Sequence, residues 1–181
     1  MVYVFLADGF EETEAIAPID IMRRAGLEVV TVGIGGQLVR GAHNITVMAD
    51  MDGADAIPDE TVDAVVLPGG LPGTVNLENN QTVQAFLDYA AANDKVMAAI
   101  CAAPSVLGHK GLLEGKRAVC FPGYEKELRG AKVQNTPAEI DGNIVTACGA
   151  GAALEFGFAL VERLCDQQTA KKLEQIMQCG R

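Results

Sequence analysis

Several residue types are scarce in this chain of 181 residues, which has no tryptophan, 5% aromatic residues and only two histidines. Two histidines, His43 and His109, are too few for most histidine-rich metal centres. The cysteines are five in number and contain no Cys-x-x-Cys pair, so neither a zinc clip nor a disulfide framework is indicated. We therefore expect no bound metal and free thiols at Cys101, Cys120, Cys148, Cys165 and Cys179.

Positive charge is also scarce, because 14 Lys and Arg stand against 24 Asp and Glu and give a formal net charge of −10. Such a surface repels phosphate backbones and anionic lipids, so we expect no nucleic-acid partner and no membrane partner. No apolar run approaches the roughly 18 residues of a membrane span, and Asp8 comes too early for a signal peptide. These absences predict a cytoplasmic location.

Hydrophobic residues make up 49% of the chain. Since one domain takes about 150 residues, we predict a single domain over residues 1–181. Five short runs rich in Val and Ile are bounded by Gly, Pro or Asp, which indicates strands buried on both faces. The predicted strands cover residues 2–6, 27–32, 62–67, 95–100 and 144–147.

Helical spacing fills most of the intervals between and after these strands. The first predicted helix has Ile16, Ile19 and Met22 on one stripe, and Gly26 and Gly111 lie where two helices should stop. The alternation predicts right-handed crossovers and a three-layer α/β sandwich, a parallel sheet with helices on both faces. Helices are predicted over 12–25, 82–92, 102–110, 152–164 and 167–178, with short extra strands or hairpins within 43–48 and 116–145.

Cys101 lies where a buried strand is predicted to turn into a helix, with alanines close on both sides. In open parallel sheets ligands bind beyond the carboxyl ends of the strands, so this junction is a candidate site. A nucleophile elbow needs small neighbours, and the amino end of the following helix should lower the pKa of the thiol. Cys101 is therefore a candidate nucleophile, and the alternative is a small buried hydrophobic residue.

Acidic residues follow the first predicted strand, at Asp8, Glu11, Glu12 and Glu14. Carboxylates in the first turn of a helix usually face water, and we expect this of Glu11 and Glu12. Glu14 faces a different side and precedes an apolar stretch, so partial burial should raise its pKa and let it carry a proton near neutral pH. A protonated Glu14 could donate a hydrogen bond to a thiolate at Cys101.

Paired glycines, Gly69 and Gly70, follow the third predicted strand. Their backbone N–H groups could converge on an oxygen atom and, with the N–H of Ala102, form an oxyanion hole. An ordinary tight turn after a strand explains the same two residues equally well.

Neither histidine is placed as a conventional base. His109 lies eight residues after Cys101 on the same predicted helix, about 12 Å along its axis, and is expected to cap that helix. His43 could reach a site, but its polar surroundings favour a ring that faces solvent. The glycine clusters at 33–36 and 149–151 miss the Gly-x-Gly-x-x-Gly spacing, so no nucleotide cofactor is indicated.

Four segments together resemble the ThiJ/PfpI superfamily, most closely its branch around the Parkinson-disease protein deglycase. They are DGFEETE at 8–14, DIMRRAG at 20–26, VVLPGG at 65–70 and AAICAAP at 98–104, in order along nearly the whole chain. The resemblance implies a flavodoxin-like fold and a homodimer. It also implies a nucleophile at Cys101, an acid/base carboxyl at Glu14 and oxyanion donors at Gly69 and Gly70.

The resemblance bears on two further positions. Arg24 falls where the family has a basic residue at the dimer interface. Many relatives carry His where this chain has Phe121, so the chain departs from them there. Cysteine proteases and amidotransferases of related architecture need a histidine beside the nucleophile, and the departure argues against those activities.

The expected function is cofactor-independent chemistry on small reactive aldehydes such as methylglyoxal, either free or as early glycation adducts. Cys101 would form a hemithioacetal, and Glu14 would move a proton between adjacent carbons. The alternative is a non-enzymatic oxidative-stress sensor or redox-regulated chaperone that works through oxidation of Cys101. A third reading, a structural binding module, predicts no unusual reactivity at Cys101.

Overall fold

Strands and helices alternate along most of the chain, and the computed structural model describes residues 1–179. The strands are β1 (Val2–Ala7), β2 (Val29–Ile34), β3 (Leu38–Arg40), β4 (Thr46–Met48), β5 (Met51–Asp52), β6 (Ala64–Leu67), β7 (Val96–Ile100), β8 (Arg117–Ala118), β9 (Lys132–Val133), β10 (Ala138–Asp141) and β11 (Ile144–Ala147). The helices are α1 (Glu12–Arg24), α2 (Gly73–Glu78), α3 (Gln81–Ala92), α4 (Pro104–His109), α5 (Ala153–Leu164) and α6 (Gln167–Ile176), with 3₁₀ turns at Glu125–Glu127 and Ala150–Ala152. Within residues 1–179, no helix combines the length and the apolar character that a membrane crossing needs.

Seven strands form the main sheet in the order β10-β11-β7-β6-β1-β2-β5. Neighbouring strands are parallel except at one edge, where β10 pairs antiparallel to β11. The central strands are apolar on both sides because α1, α5 and α6 cover one face of the sheet and α2, α3 and α4 cover the other. The predicted flavodoxin-like three-layer sandwich is confirmed, with the correction that one edge strand is antiparallel.

The five predicted main-sheet strands are all present, but several boundaries differ. Strand β2 begins at Val29 rather than at residue 27 and continues to Ile34. Helix α4 begins only at Pro104, because residues 101–103 form a turn, and α6 ends at Ile176. Apolar spacing marks the interior of an element better than its ends, where capping and turn geometry decide.

One residue of the predicted apolar stripe on α1 is exposed instead of buried. Ile19 and Met22 are buried as predicted, whereas Ile16 is 45% exposed and Ile21 is buried in its place. The reason is that α1 packs against α5 as well as against the sheet, so its buried surface is rotated and wider than one stripe.

The elements missed by the sequence analysis are short. Helix α2 has six residues, β3 three and β5 two. Within 43–48, β4 pairs antiparallel with the unpredicted β3. Within 116–145, β8 and β9 form a small parallel pair and β10 joins the main sheet beside β11. Such short elements are stabilised by tertiary contacts and carry little periodic signal of their own.

Candidate active site

Cys101 lies at the carboxyl end of β7, where the chain turns sharply toward α4. Like the other four cysteines it is a free thiol, as predicted. Its φ of 65° is in the left-handed region, which residues other than glycine rarely adopt. Its N–H donates to the carbonyl oxygen of Ala147 on β11 at 2.9 Å, which anchors the turn to the sheet. The sharp corner expected of a nucleophile elbow is therefore present.

Glu14 reaches the same corner from the first turn of α1. Its side chain is buried, with the residue 2% exposed, and it accepts a hydrogen bond from the N–H of Gly69 at 3.0 Å. The Cys101 thiol and the Glu14 carboxyl are also hydrogen-bonded to each other. A Cβ on Gly69 would lie 2.5 Å from Glu14 Oε2 and 2.6 Å from Cys101 Cβ, so only glycine leaves room for this pair.

The environment of the pair determines which group exchanges a proton near neutral pH. Burial, reinforced by the negative charge of Glu11, raises the pKa of Glu14 to about 7, although hydrogen bonds from Cys101 and Gly69 oppose the shift. Burial and the adjacent Glu14 carboxylate raise the pKa of the Cys101 thiol to about 12. The expected lowering of the thiol pKa by the following helix was wrong, because that helix has only six residues and the sulfur is buried beside a carboxylate. Glu14 is therefore the group that titrates first.

Backbone donors surround the sulfur. The N–H groups of Ala102 and Gly70 both donate to Cys101 Sγ. The N–H of Gly69 is instead bonded to Glu14, so of the three residues predicted to form an oxyanion hole, Gly69 holds the carboxyl in this structure. Gly70 and Ala102 are the two whose N–H groups face the sulfur. An attack by that sulfur on a carbonyl carbon would develop negative charge on the carbonyl oxygen beside it.

Glu11, Glu12 and His43 lie together beside this site. The expectation that Glu12 faces water was wrong, because the N–H of His43 donates to it at 2.8 Å and the His43 ring Nδ1 lies 2.9 Å from its other oxygen. The ring of His43 is itself exposed, as favoured, and its pKa is raised by the hydrogen bond to Glu12 and by the charges of Glu11 and Glu12. The three side chains place ligand atoms within 4.8 Å of one another, close enough to share a metal ion, but the imidazole already pairs with both carboxylates.

Two residues at the site were not assigned to it from the sequence. Gly149, which follows β11, lies next to Phe121, which follows β8, and next to Glu14. In the sequence, Gly149 stands out only in a glycine cluster that misses the nucleotide-binding spacing, and Phe121 only as a departure from relatives. The rule that ligands bind beyond the carboxyl ends of strands could have found Gly149, since Ala147 on β11 pairs in register with Ile100 on β7.

In a comparison with known proteins, a model of the DJ-1/PfpI family matches residues 1–163. The chain belongs to the DJ-1/PfpI family. Among its relatives, Protein DJ-1 homolog B of Arabidopsis thaliana is 38% identical over 172 residues, which are 93% of this chain and 39% of that protein. The chain thus spans less than half the length of that plant relative.

Two further DJ-1/PfpI relatives match most of both chains. A deglycase of Pyrococcus abyssi is 34% identical over 149 residues, covering 81% of this chain and 88% of that protein. The structure of oxidized DJ-1 from Toxoplasma gondii superposes with a TM-score of 0.94 at 34% identity, covering 99% of this chain and 98% of that one.

Two residues singled out from the sequence lie outside the Cys101 corner of this DJ-1/PfpI chain. Arg24 pairs with Asp20 one turn earlier on α1 at 2.6 Å, with both side chains half-exposed, and its interface role remains a prediction. His109 ends α4 as expected, and its ring lies 2.5 Å from a carboxylate oxygen of Glu78 and 2.9 Å from one of Glu127. His109 therefore ties α4 to two neighbouring segments.

Proposed function

We propose that the protein is a glutathione-independent glyoxalase or deglycase that acts on methylglyoxal and related reactive aldehydes, or on their early adducts. The observation that carries the proposal is the buried hydrogen-bonded pair of Cys101 and Glu14, in which the carboxyl has a pKa of about 7. A nucleophile and a proton carrier in contact are the two groups that this reaction needs. The archaeal relative named a deglycase supports the same assignment.

In the first step, the sulfur of Cys101 adds to the aldehyde carbon while the Glu14 carboxylate takes the thiol proton. Returning that proton to the former carbonyl oxygen gives a hemithioacetal, and the N–H groups of Gly70 and Ala102 stabilise the negative charge that develops on the way. No histidine is required, because Glu14 is already at hydrogen-bonding distance from the sulfur.

In the second step, Glu14 removes the proton from the carbon bonded to sulfur and returns it to the adjacent carbon through an enediol. The former aldehyde carbon becomes a thioester and is oxidised, while the ketone carbon becomes an alcohol and is reduced. Water then cleaves the thioester, releasing a 2-hydroxy acid and restoring the thiol. The oxidation and the reduction balance within one substrate molecule.

The direct test is lactate formation from methylglyoxal in the absence of glutathione. We expect turnover by the wild-type protein and none by Cys101→Ala. Cys165→Ala is a matched control, because that cysteine is an exposed free thiol at the carboxyl end of α5. Equal lactate formation by wild type and Cys101→Ala would refute the proposal, as would no lactate from either.

A second candidate function is oxidative sensing or redox-regulated chaperone activity through Cys101. The observation in its favour is that Gly70 and Ala102 donate to the sulfur while a protonated Glu14 can do the same, so oxygen atoms added to the sulfur would find donors. Mass spectrometry after mild peroxide treatment should then show two oxygens added selectively at Cys101. Oxidation spread evenly over the exposed Cys165 and the other cysteines would count against sensing.

We also propose that the protein is a homodimer. Ile16 on α1 is 45% exposed and Met48 on β4 is 76% exposed, and they line one shallow apolar groove beside Arg23 and Asp20. Covering such a surface with a second copy would remove it from water. Light scattering should give twice the chain mass for the wild type and a lower mass for the double variant Ile16→Glu with Met48→Glu. A monomeric wild type would contradict this proposal.

A further inference from the structure

Phe121 stands at the entrance to the Cys101 corner. It follows β8, and its N–H donates to the carbonyl oxygen of Cys101 at 2.8 Å. Its side chain is 47% exposed, an unusual position for a phenyl ring. The point at which a Cβ on Gly149 would lie is 3.2 Å from the ring atom Cδ2 and 4.0 Å from Glu14 Oε1. The ring edge and the proton-carrying carboxyl therefore border the same small space.

The backbone that carries the ring is anchored rather than loose. Two residues earlier, the N–H of Val119 donates to the buried hydroxyl of Thr146 on β11 at 2.9 Å. On the other side, the N–H of Tyr124 donates to the carbonyl oxygen of Phe121 at 3.1 Å, which closes a turn. Bonds before, at and after Phe121 thus hold its backbone beside Cys101, so its ring forms an apolar wall next to Gly149 and Glu14.

A half-exposed phenyl ring on an anchored backbone can contact a substrate bound at the neighbouring Cys101. It offers an apolar face against which part of a substrate can be removed from water, whereas the groups bonded to the sulfur are backbone N–H groups and a carboxyl. The substituent of an aldehyde bound at the sulfur could then lie in the space that Phe121, Gly149 and Glu14 border.

We infer that Phe121 is a specificity-determining residue that selects 2-oxoaldehydes with an apolar substituent. It favours an aromatic substituent over a methyl group. The inference rests on the proposed glyoxalase activity and names its preferred substrate class. It predicts a higher kcat/KM for phenylglyoxal than for methylglyoxal, because stacking or edge contact with the ring adds to the binding of the larger substrate in the transition state.

The test compares the two aldehydes in wild type, Phe121→Ala and Phe121→Leu. Phe121→Ala should lower kcat/KM for phenylglyoxal about fivefold and for methylglyoxal less than twofold, and Phe121→Leu should lie between wild type and Phe121→Ala. Ile176→Ala, which removes an exposed apolar side chain on α6, is the matched control and should leave the ratio unchanged. An unchanged ratio in Phe121→Ala, with both aldehydes turned over, would overturn the inference while the proposed function stands.

A binding experiment separates failure of the inference from failure of the proposed function. Acetophenone carries the phenyl ketone but no aldehyde, so it can bind without reacting. In NMR spectra of the full-length protein, it should shift the amide resonance of Gly149 in wild type and in Cys101→Ala, and much less in Phe121→Ala. If neither aldehyde is turned over but these shifts are seen, the glyoxalase proposal fails and the apolar wall stands. If acetophenone leaves the Gly149 resonance unchanged, the assignment of Phe121 as an apolar wall of the binding site fails.

Discussion

Glu12 and Glu14 lie two residues apart in the first turn of α1, and both are buried, at 7% and 2% exposure. Their surroundings nevertheless move their pKa values in opposite directions. Burial raises the pKa of both carboxyls, but Glu12 accepts hydrogen bonds from the His43 ring and from the N–H groups of His43 and Ile45, which bring its pKa below the usual value. Glu14 has only the Gly69 N–H and the Cys101 thiol, and its pKa rises to about 7.

The comparison shows that the donors around a carboxyl, together with the depth of its burial, decide whether the group is structural or chemically active. Glu12 stays ionised and holds residues 43–45 against α1, where a Cβ on Gly41 would collide with its carboxyl. Glu14 changes protonation near neutral pH next to a nucleophile. Substitutions at these two positions should therefore separate fold from chemistry.

The largest difference is expected in catalysis. Glu14→Gln keeps the size of the side chain but cannot carry a proton, so kcat/KM for methylglyoxal should fall about 1,000-fold. Glu12→Gln should change it by less than about fivefold, since Glu12 contacts neither the sulfur nor the proton path. Steady-state kinetics on both folded variants measure this. Similar losses of kcat/KM in the two variants would contradict the assignment of different roles to Glu12 and Glu14.

The pH dependence should follow Glu14. Because the carboxylate takes the thiol proton, kcat/KM should rise about tenfold per pH unit below pH 7 and level off above it. The pH–rate profile of Glu12→Gln should have the same inflection. An inflection near the ordinary glutamate pKa of about 4.5 would mean that burial does not raise the pKa of the reacting group.

Stability should move in opposite directions at the two positions. The folded-state pKa of Glu14 lies above its unfolded value, so ionisation destabilises the fold as the pH rises from about 4.5 through 7. Glu14→Gln should therefore raise the free energy of unfolding at pH 8 by about 2 kcal/mol, with little effect near pH 4. Denaturant unfolding at the two pH values measures the change, and a loss of stability at pH 8 would contradict it.

Glu12→Ala should have the reverse effect, because it leaves the N–H groups of His43 and Ile45 without their acceptor. We expect a loss of about 2 kcal/mol at pH 7. The difference should shrink as the pH falls through the lowered pKa of Glu12, since protonation weakens the same contacts in the wild type. A variant as stable as the wild type at pH 7 would show that the contacts of Glu12 do not hold residues 43–45.

The smallest effect is expected for His43→Ala. The hydrogen bond to Glu12 and the charges of Glu11 and Glu12 raise the pKa of the ring, so it stabilises the fold below its unfolded pKa of about 6.5. That contribution is lost as the pH rises through the higher folded pKa. At pH 6 the thermal unfolding midpoint should fall by about 2 °C, and the difference should vanish at alkaline pH. A constant difference at every pH would assign the effect to packing rather than to charge.

Much of the fold could be predicted from local sequence patterns. Runs of Val and Ile mark the five main-sheet strands, and Gly26 and Gly111 have the positive φ angles that end helices. The position of Cys101 at a corner follows from the strand before it. Strands β3, β5 and helix α2 escaped prediction because two to six residues do not make a period.

The structure brings Cys101, Glu14, Gly69, Gly70 and Ala102 together, but the electrostatics of the site follow only in part from the sequence. The sequence pointed to Glu14 as a carboxyl with a raised pKa because apolar residues follow it, and the structure agrees. The helix that follows Cys101 predicts a lowered thiol pKa, but local sequence does not show the charge that Glu14 brings to the sulfur. The position of Glu12 in the first turn predicts exposure to solvent, because the backbone of residues 43–45 approaches it only after the chain has folded.

By itself, the order of residues determined the alternation of strands and helices, the elbow at Cys101 and the choice of Glu14, because these depend on neighbours within a few positions along the chain. Only the tertiary structure decided that Gly69 binds Glu14, that the thiol keeps its proton and that Phe121 lies beside Gly149 near Glu14. The burial, the electrostatic environment and the contacts of a side chain depend on all the segments around it. These segments meet only when the sheet has formed.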